Sequence, residues 1–73
     1  MKTTTFDASE LGLLERDEFK LEAPNIAIKL SEDKLTFLVI EKINTTLFVV
    51  TSESDSYGSE AEYQTLRAAL KAA

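Results

Sequence analysis

The residues able to do acid–base or metal chemistry in this chain are carboxylates, and they come in pairs. Asp17-Glu18, Glu32-Asp33, Glu53 with Asp55, and Glu60 with Glu62 each bring two acids within reach of one another. Paired carboxylates can split their pKa values into an acid and a base, or hold a divalent cation. Each pair also has a plainer setting. Asp17-Glu18 precede an alternating apolar stretch, and Glu32-Asp33 sit in a polar turn, where exposed carboxylates are ordinary. Glu60 and Glu62 suit the first turn of a helix, whose dipole favours negative charge. Residues 53–62 resemble a calcium-binding loop only loosely.

The chain has no His and no Cys. This removes Ser–His and Cys–His nucleophilic catalysis, zinc sites of the Cys/His kind and disulfides. Gly12 and Gly58 stand alone, outside any strand–loop–helix context that would cradle a phosphate. The sequence therefore assigns no catalytic residue, no cofactor and no metal, and the expectation is a protein that is not an enzyme.

Net charge is −5, from thirteen acids against eight bases. Direct nucleic-acid binding needs clustered Lys and Arg, so this balance argues against it. It suits a partner protein with a basic surface. Between Lys42 and Arg67 there are four acids, Glu53, Asp55, Glu60 and Glu62, and no base. If they share a surface, they offer a dock for a basic patch, and carboxylates there would stand where phosphates otherwise sit. Ser52, Ser54 and Ser56 lie among these acids and read as a solvated loop rather than as modification sites. Asn44-Thr45-Thr46 is a glycosylation sequon by pattern alone.

Seventy-three residues are expected to make one domain with a thin margin of stability. Small domains often add disulfides, metals or a second subunit, and only the last is open here, so a homodimer is one expectation. Met1 to Asp7 show no secretory signal. The longest apolar runs, Phe37 to Ile40 and Leu47 to Val50, are four residues each, too short for a membrane span. A cytoplasmic location without membrane contact follows as the expectation.

The elements that must position these residues are legible from periodicity. Residues 1–17 form an N-terminal arm or a short helix, with Asp7 or Ser9 as cap and Leu11, Leu14 and Leu13 as its inward side. A short extra strand over Thr3 to Phe6 is a further reading. Residues 18–51 read as antiparallel strands. Phe19, Leu21 and Ala23 alternate with charged residues, and so do Ile26, Ile28 and Leu30 with Ala27, Lys29 and Ser31. Pro24-Asn25 is a turn, as is Ser31 to Lys34. Leu35 to Ile43 and Thr46 to Thr51 give two more strands, joined at Asn44-Thr45, where Thr is a poor fit to positive φ, or at the rival Glu41-Lys42. Residues 52–58 read as an acidic Ser-rich loop. Ser59 and Glu62 match a capping box, and Tyr63, Leu66, Ala69 and Leu70 lie on one helical face, so a helix is expected over 59–72. The fold class is α+β: a small antiparallel meander of three to five strands with the C-terminal helix packed on one face.

The third and fourth strands lack a polar face. Simple alternation sets Leu35, Phe37, Val39 and Ile43 on one side of the third strand, and Leu38 and Ile40 on the other. It sets Phe48 and Val50 against Leu47 and Val49 on the fourth. With Phe37, Val39, Phe48 and Val50 under the helix, Leu38, Ile40, Leu47 and Val49 need a second cover. The N-terminal segment, a second copy of the chain or a different protein could each supply it. The fourth strand is also an uncharged sheet edge unless another segment pairs with it. Leu38, Ile40, Leu47 and Val49, with Glu53, Asp55, Glu60 and Glu62, are thus the candidate partner-binding residues. The expected function is a small acidic protein-binding module of adaptor or inhibitor type, acting through a sheet edge or an exposed apolar face. The alternative is an acidic nucleic-acid mimic. Small inhibitory proteins of phages and mobile elements offer an analogy in size and in lack of catalytic groups.

Overall fold

A computed structural model of the chain describes residues 4–30, 36–54 and 57–72. Its elements run α1 (Ala8–Arg16), β1 (Lys20–Ala23), β2 (Ile26–Leu30), β3 (Thr36–Asn44), β4 (Leu47–Ser54), β5 (Tyr57–Tyr63) and α2 (Leu66–Ala72). The strands form one antiparallel sheet in the order β1-β2-β3-β4-β5. The α+β class and the C-terminal helix on a meander are as expected. Among the described residues no helix is long and apolar enough to cross a membrane.

The N-terminal helix forms for the reason its sequence suggests. The Asp7 carboxylate accepts from the Glu10 amide, and the Glu10 carboxylate accepts from the Asp7 amide, both at 2.8 Å. This reciprocal cap satisfies two amides that have no partner inside the helix. At the other end Glu18 adopts the left-handed conformation, with φ of 66°. Its amide donates to the Glu15 carbonyl, and the Phe19 amide donates to the Leu14 carbonyl. That is the Schellman arrangement, completed by burial of both Leu14 and Phe19 in the core. Leu13 packs partly against the core, whereas Leu11 is exposed. Thr4 to Phe6 form no strand, and Thr3 lies outside the described residues. Phe6 is held instead by its amide's bond to the Pro24 carbonyl, beside the β1–β2 turn.

Two expected elements are different in the structure. The Ser-rich segment is not a loop but the two arms of a hairpin, paired from Phe48↔Tyr63 to Ser54↔Tyr57. Asp55 and Ser56 lie outside the described residues. The helix expected over 59–72 begins only at Leu66, and Ser59 is a strand residue. The cap is Thr65, whose hydroxyl accepts from the Ala68 amide at 3.1 Å. Glu60 and Glu62 alternate with Ser59, Ala61 and Tyr63, and strand pairing with β4 outweighs the local capping pattern. With β5 beside it, β4 is not an edge.

The faces of the sheet are set by a bulge. Pairing runs Ile40↔Val50, Glu41↔Val49 and Lys42↔Phe48, then shifts to Asn44↔Leu47, leaving Ile43 extra. The turn falls at Thr45-Thr46 rather than at Asn44-Thr45 or Glu41-Lys42, and Asn44 caps it by accepting from the Thr46 amide. One inserted residue exchanges which side chains of β3 share a face with those of β4. Leu38 and Ile40 therefore join Phe48 and Val50, while Phe37 and Val39 join Leu47 and Val49.

Both helices cover the same face. The core comprises Phe6, Leu14, Phe19, Ala27, Ile40, Phe48, Val50, Leu66 and Ala69, with Leu13, Leu38, Tyr63 and Leu70 packed against it. The N-terminal segment thus does not close the second side of the sheet, as one expectation had it, but shares the first side with α2. The turn expected at Ser31 to Lys34, and Leu35, lie outside the described residues.

Candidate functional site

The register places three cross-strand rows on the sheet face opposite the helices. One row reads Ile26, Glu41, Val49 and Glu62 across β2 to β5. The next reads Lys20, Ile28, Val39, Thr51 and Glu60 across all five strands. The third reads Leu30, Phe37, Glu53 and Gly58. Ile43 and Leu47 continue the same face toward the β3–β4 turn.

The composition of this face changes from one side to the other. Over β2 and β3 it is apolar: Ile26, Ile28 and Val39 are half-buried by their neighbours in the sheet, while Leu30 and Phe37 are 41% and 52% exposed. Ile43, near the turn, is 44% exposed. A hollow of about 290 Å³ opens at its β1 side, lined by the apolar Ile28, Leu30 and Phe37 and by the charged Glu18, Lys20 and Lys29. Over β4 and β5 the face is acidic, with Glu53, Glu60 and Glu62 exposed and Glu41 half-buried between the two zones. None of these four carboxylates forms an ion pair with a described residue. On β3 to β5 this face carries no base.

The eight candidate residues are thus divided. Leu47, Val49, Glu53, Glu60 and Glu62 share the open face. Ile40 is wholly buried on the opposite face, and Leu38 is packed against the core beside it. Those two belong to the interior because of the bulge at Ile43. Asp55 lies outside the described residues. The residues that sequence reasoning missed are Ile26, Ile28, Leu30, Phe37 and Val39. Their signal is present, since Ile26, Ile28 and Leu30 alternate cleanly, but alternation alone does not say which side of the sheet the helices take. Ala27, small and wholly buried, is the β2 side chain under the helices.

The acids do not assemble a metal centre: among the described residues no group of three or more carboxylates is placed to hold an ion. Asp17 and Glu18 cap a helix, Glu53 lies on a strand facing Gly58, and Glu60 and Glu62 lie two residues apart on β5. One buried charge pair does exist, on the helix side. The Lys42 ammonium, 6% exposed, meets the Glu10 carboxylate at 2.5 Å and sits 5.7 Å from the centre of the Phe48 ring. Its carboxylate also closes the α1 cap, so the pair ties helix to sheet in one network. It lies under α1, away from the open face.

The edges of the sheet are blunted. β1 has four residues, a register shift between Leu21 and Ala23, and Pro24 after it. β5 carries Glu60 and Glu62. Short, irregular or charged edges resist strand addition. Comparison with protein-family models, with curated proteins and with solved structures finds no match to this chain.

Proposed function

We propose that this chain is a non-enzymatic protein-binding module that acts, as an adaptor or inhibitor, through the open face of its sheet. The observation that supports this reading is the apolar zone of Ile26, Ile28, Leu30, Phe37 and Val39, over which no described residue lies. Sheet strands that are apolar on both sides need a layer on both sides. Contiguous exposed apolar surface on a small protein marks an interaction site. Recognition through a sheet edge is the weaker form of the reading, given a bulged β1 and a charged β5. A cytoplasmic setting belongs to the same proposal.

Capture from the cell of origin with tagged bait tests it. The wild type and an Arg67→Glu control, altered on exposed α2 surface, should retain a common partner that Phe37→Glu loses. Retention by all three, with Phe37→Glu folded by circular dichroism, would sink the reading.

A second reading draws on the acids of β4 and β5. Glu53, Glu60 and Glu62 present carboxylates from one hairpin face without an intervening base, as a mimic of a phosphate backbone would. In that case Glu60→Lys with Glu62→Lys abolishes capture, Phe37→Glu leaves it intact, and duplex DNA competes for the partner.

A further inference from the structure

We infer that the occupant of the open face is a cationic amphipathic helix of another protein. It lies along β2 and β3, with its apolar stripe on Ile28, Leu30, Phe37 and Val39 and its Lys or Arg side chains turned toward Glu53, Glu60 and Glu62. The inference rests on the proposed binding role of this face and names the chemistry of the partner.

Three features of the face select this occupant. The first is backbone accounting. A segment laid on a sheet face finds no backbone partners there, because the sheet's own groups are paired within its plane. A helix satisfies its own amides and carbonyls and needs only side-chain contact. The same sheet already receives α1 and α2 in that manner on its other side.

The second is width. A helix with its side chains is about 10 Å across, close to the span of two to three strands at about 4.8 Å each. The apolar zone covers β2 and β3, with Val49 continuing it on β4. It matches one apolar stripe, and the hollow by Leu30 and Phe37 takes an anchoring side chain.

The third is charge, and it is directional. On the β4–β5 flank stand Glu53, Glu60 and Glu62 with no base among them; on the β1 side the charge is mixed, with Lys20, in the same row as Glu60, beside Glu18 and Lys29 around the hollow. A helix with bases along the border set toward β5 meets acids alone on that side, whereas the mixed β1 side offers bases no such gain. A second copy of this chain is a poorer occupant. Two such faces would set several carboxylates against each other, in a pair of chains each carrying −5. An anionic lipid surface is disfavoured by the same acids.

The test uses a synthetic sixteen-residue peptide of Leu and Lys, with Leu at helical spacing and Lys along one border. Two controls accompany it: a scrambled peptide of the same composition, and a version with Glu for Lys. Calorimetry at low salt should give saturable one-to-one binding, at least tenfold weaker for each control and several-fold weaker at high salt. Phe37→Glu, and the pair Glu60→Lys with Glu62→Lys, should each weaken binding at least tenfold. Amide shifts should map to residues 26–30, 37–41 and 49–53 rather than to α1 and α2. Val39→Lys repeats the apolar test if Phe37→Glu fails to fold. Equal binding of the scrambled peptide, which reports a mere polyanion, overturns the inference. So do shifts on the helix side, or light scattering that shows a dimer shielding this face. If capture from cells depends on Phe37 yet the cationic peptide does not bind, this inference falls and the binding role of the face stands.

Discussion

At the scale of single residues, two positions carry energies that can be measured directly. Glu18 holds a left-handed conformation that an L-residue with a Cβ reaches only at a cost. Glycine bears no such cost and is the usual residue where a helix closes in this way. Glu18→Gly should therefore stabilise the fold by about 0.5–1 kcal/mol, the larger entropy of the unfolded glycine offsetting part of the relief. Urea unfolding checks it, and a loss of stability would mean that the Glu18 side chain contributes more than its backbone strain costs. The Glu10–Lys42 pair is the other position. Glu10→Gln keeps an acceptor for the cap but leaves the ammonium of Lys42, buried against Phe48, without a countercharge. Removing one partner of a buried pair typically costs about 3–5 kcal/mol, while replacing both by apolar residues is often neutral. Set against a total of roughly 5 kcal/mol or little more for so small a domain, Glu10→Gln should melt far below the wild type. Glu10→Leu with Lys42→Leu should recover most of the difference in the same thermal scan.

At the scale of elements, helix start sites offer a clean comparison. Ser59 with Glu62 matches a capping box, but both lie on β5, and the cap of α2 is Thr65. Thr65→Ala should cost about 1 kcal/mol, whereas Ser59→Ala, on an exposed edge strand, should stay within about 0.5 kcal/mol. The reverse order would restore a helix over 59–72. The contrast explains what was legible and what was not. α1 was legible only as an arm or a short helix, because Asp7 and Leu14 are local signals while Gly12 weakens the helical pattern. β1 and β2 were readable because apolar and polar residues alternate there, with Pro24-Asn25 marking the first turn, and β3 because it is a run of large apolar and β-branched residues. β5 was hidden because its alternation runs between Ser59, Ala61 and Tyr63 on one side and glutamates on the other, a weak contrast. It forms because β4 offers it a full row of partners, and that is a long-range fact. The bulge at Ile43 left no mark in composition. Yet it decided the site, since it moved Leu38 and Ile40 indoors and brought Phe37 and Val39 to the open side with Leu47 and Val49. Patterns of two-residue period show which side chains share a face within a strand. Which faces of neighbouring strands coincide depends on turn and bulge geometry.

At the scale of the whole molecule, the arrangement is two layers, one of helices and one of sheet. Helices α1 and α2 cover one side of the sheet, and the other presents apolar residues on β2 and β3 beside acids on β4 and β5. The core lies on one face of the sheet only, so core and open face can be separated by paired substitutions one residue apart. Ile40→Lys places an ammonium at a wholly buried position between Ala27 and Val50, where it has no countercharge of its own. Burying an unpaired charge costs more than this domain's margin, and the chain should lose its cooperative transition. Val39→Lys places the same group on the open face, where the ammonium can reach water or the nearby Glu41 and Glu60 rows. That variant should remain folded, with a melting temperature within a few degrees of the wild type. Because apolar exposure falls, it should also aggregate less at high concentration. Thermal unfolding with light scattering on both variants checks the pair. Collapse of both would mean that Val39 belongs to a second core. Survival of both would mean that the Ile43 bulge, and with it the division of faces, is absent in solution.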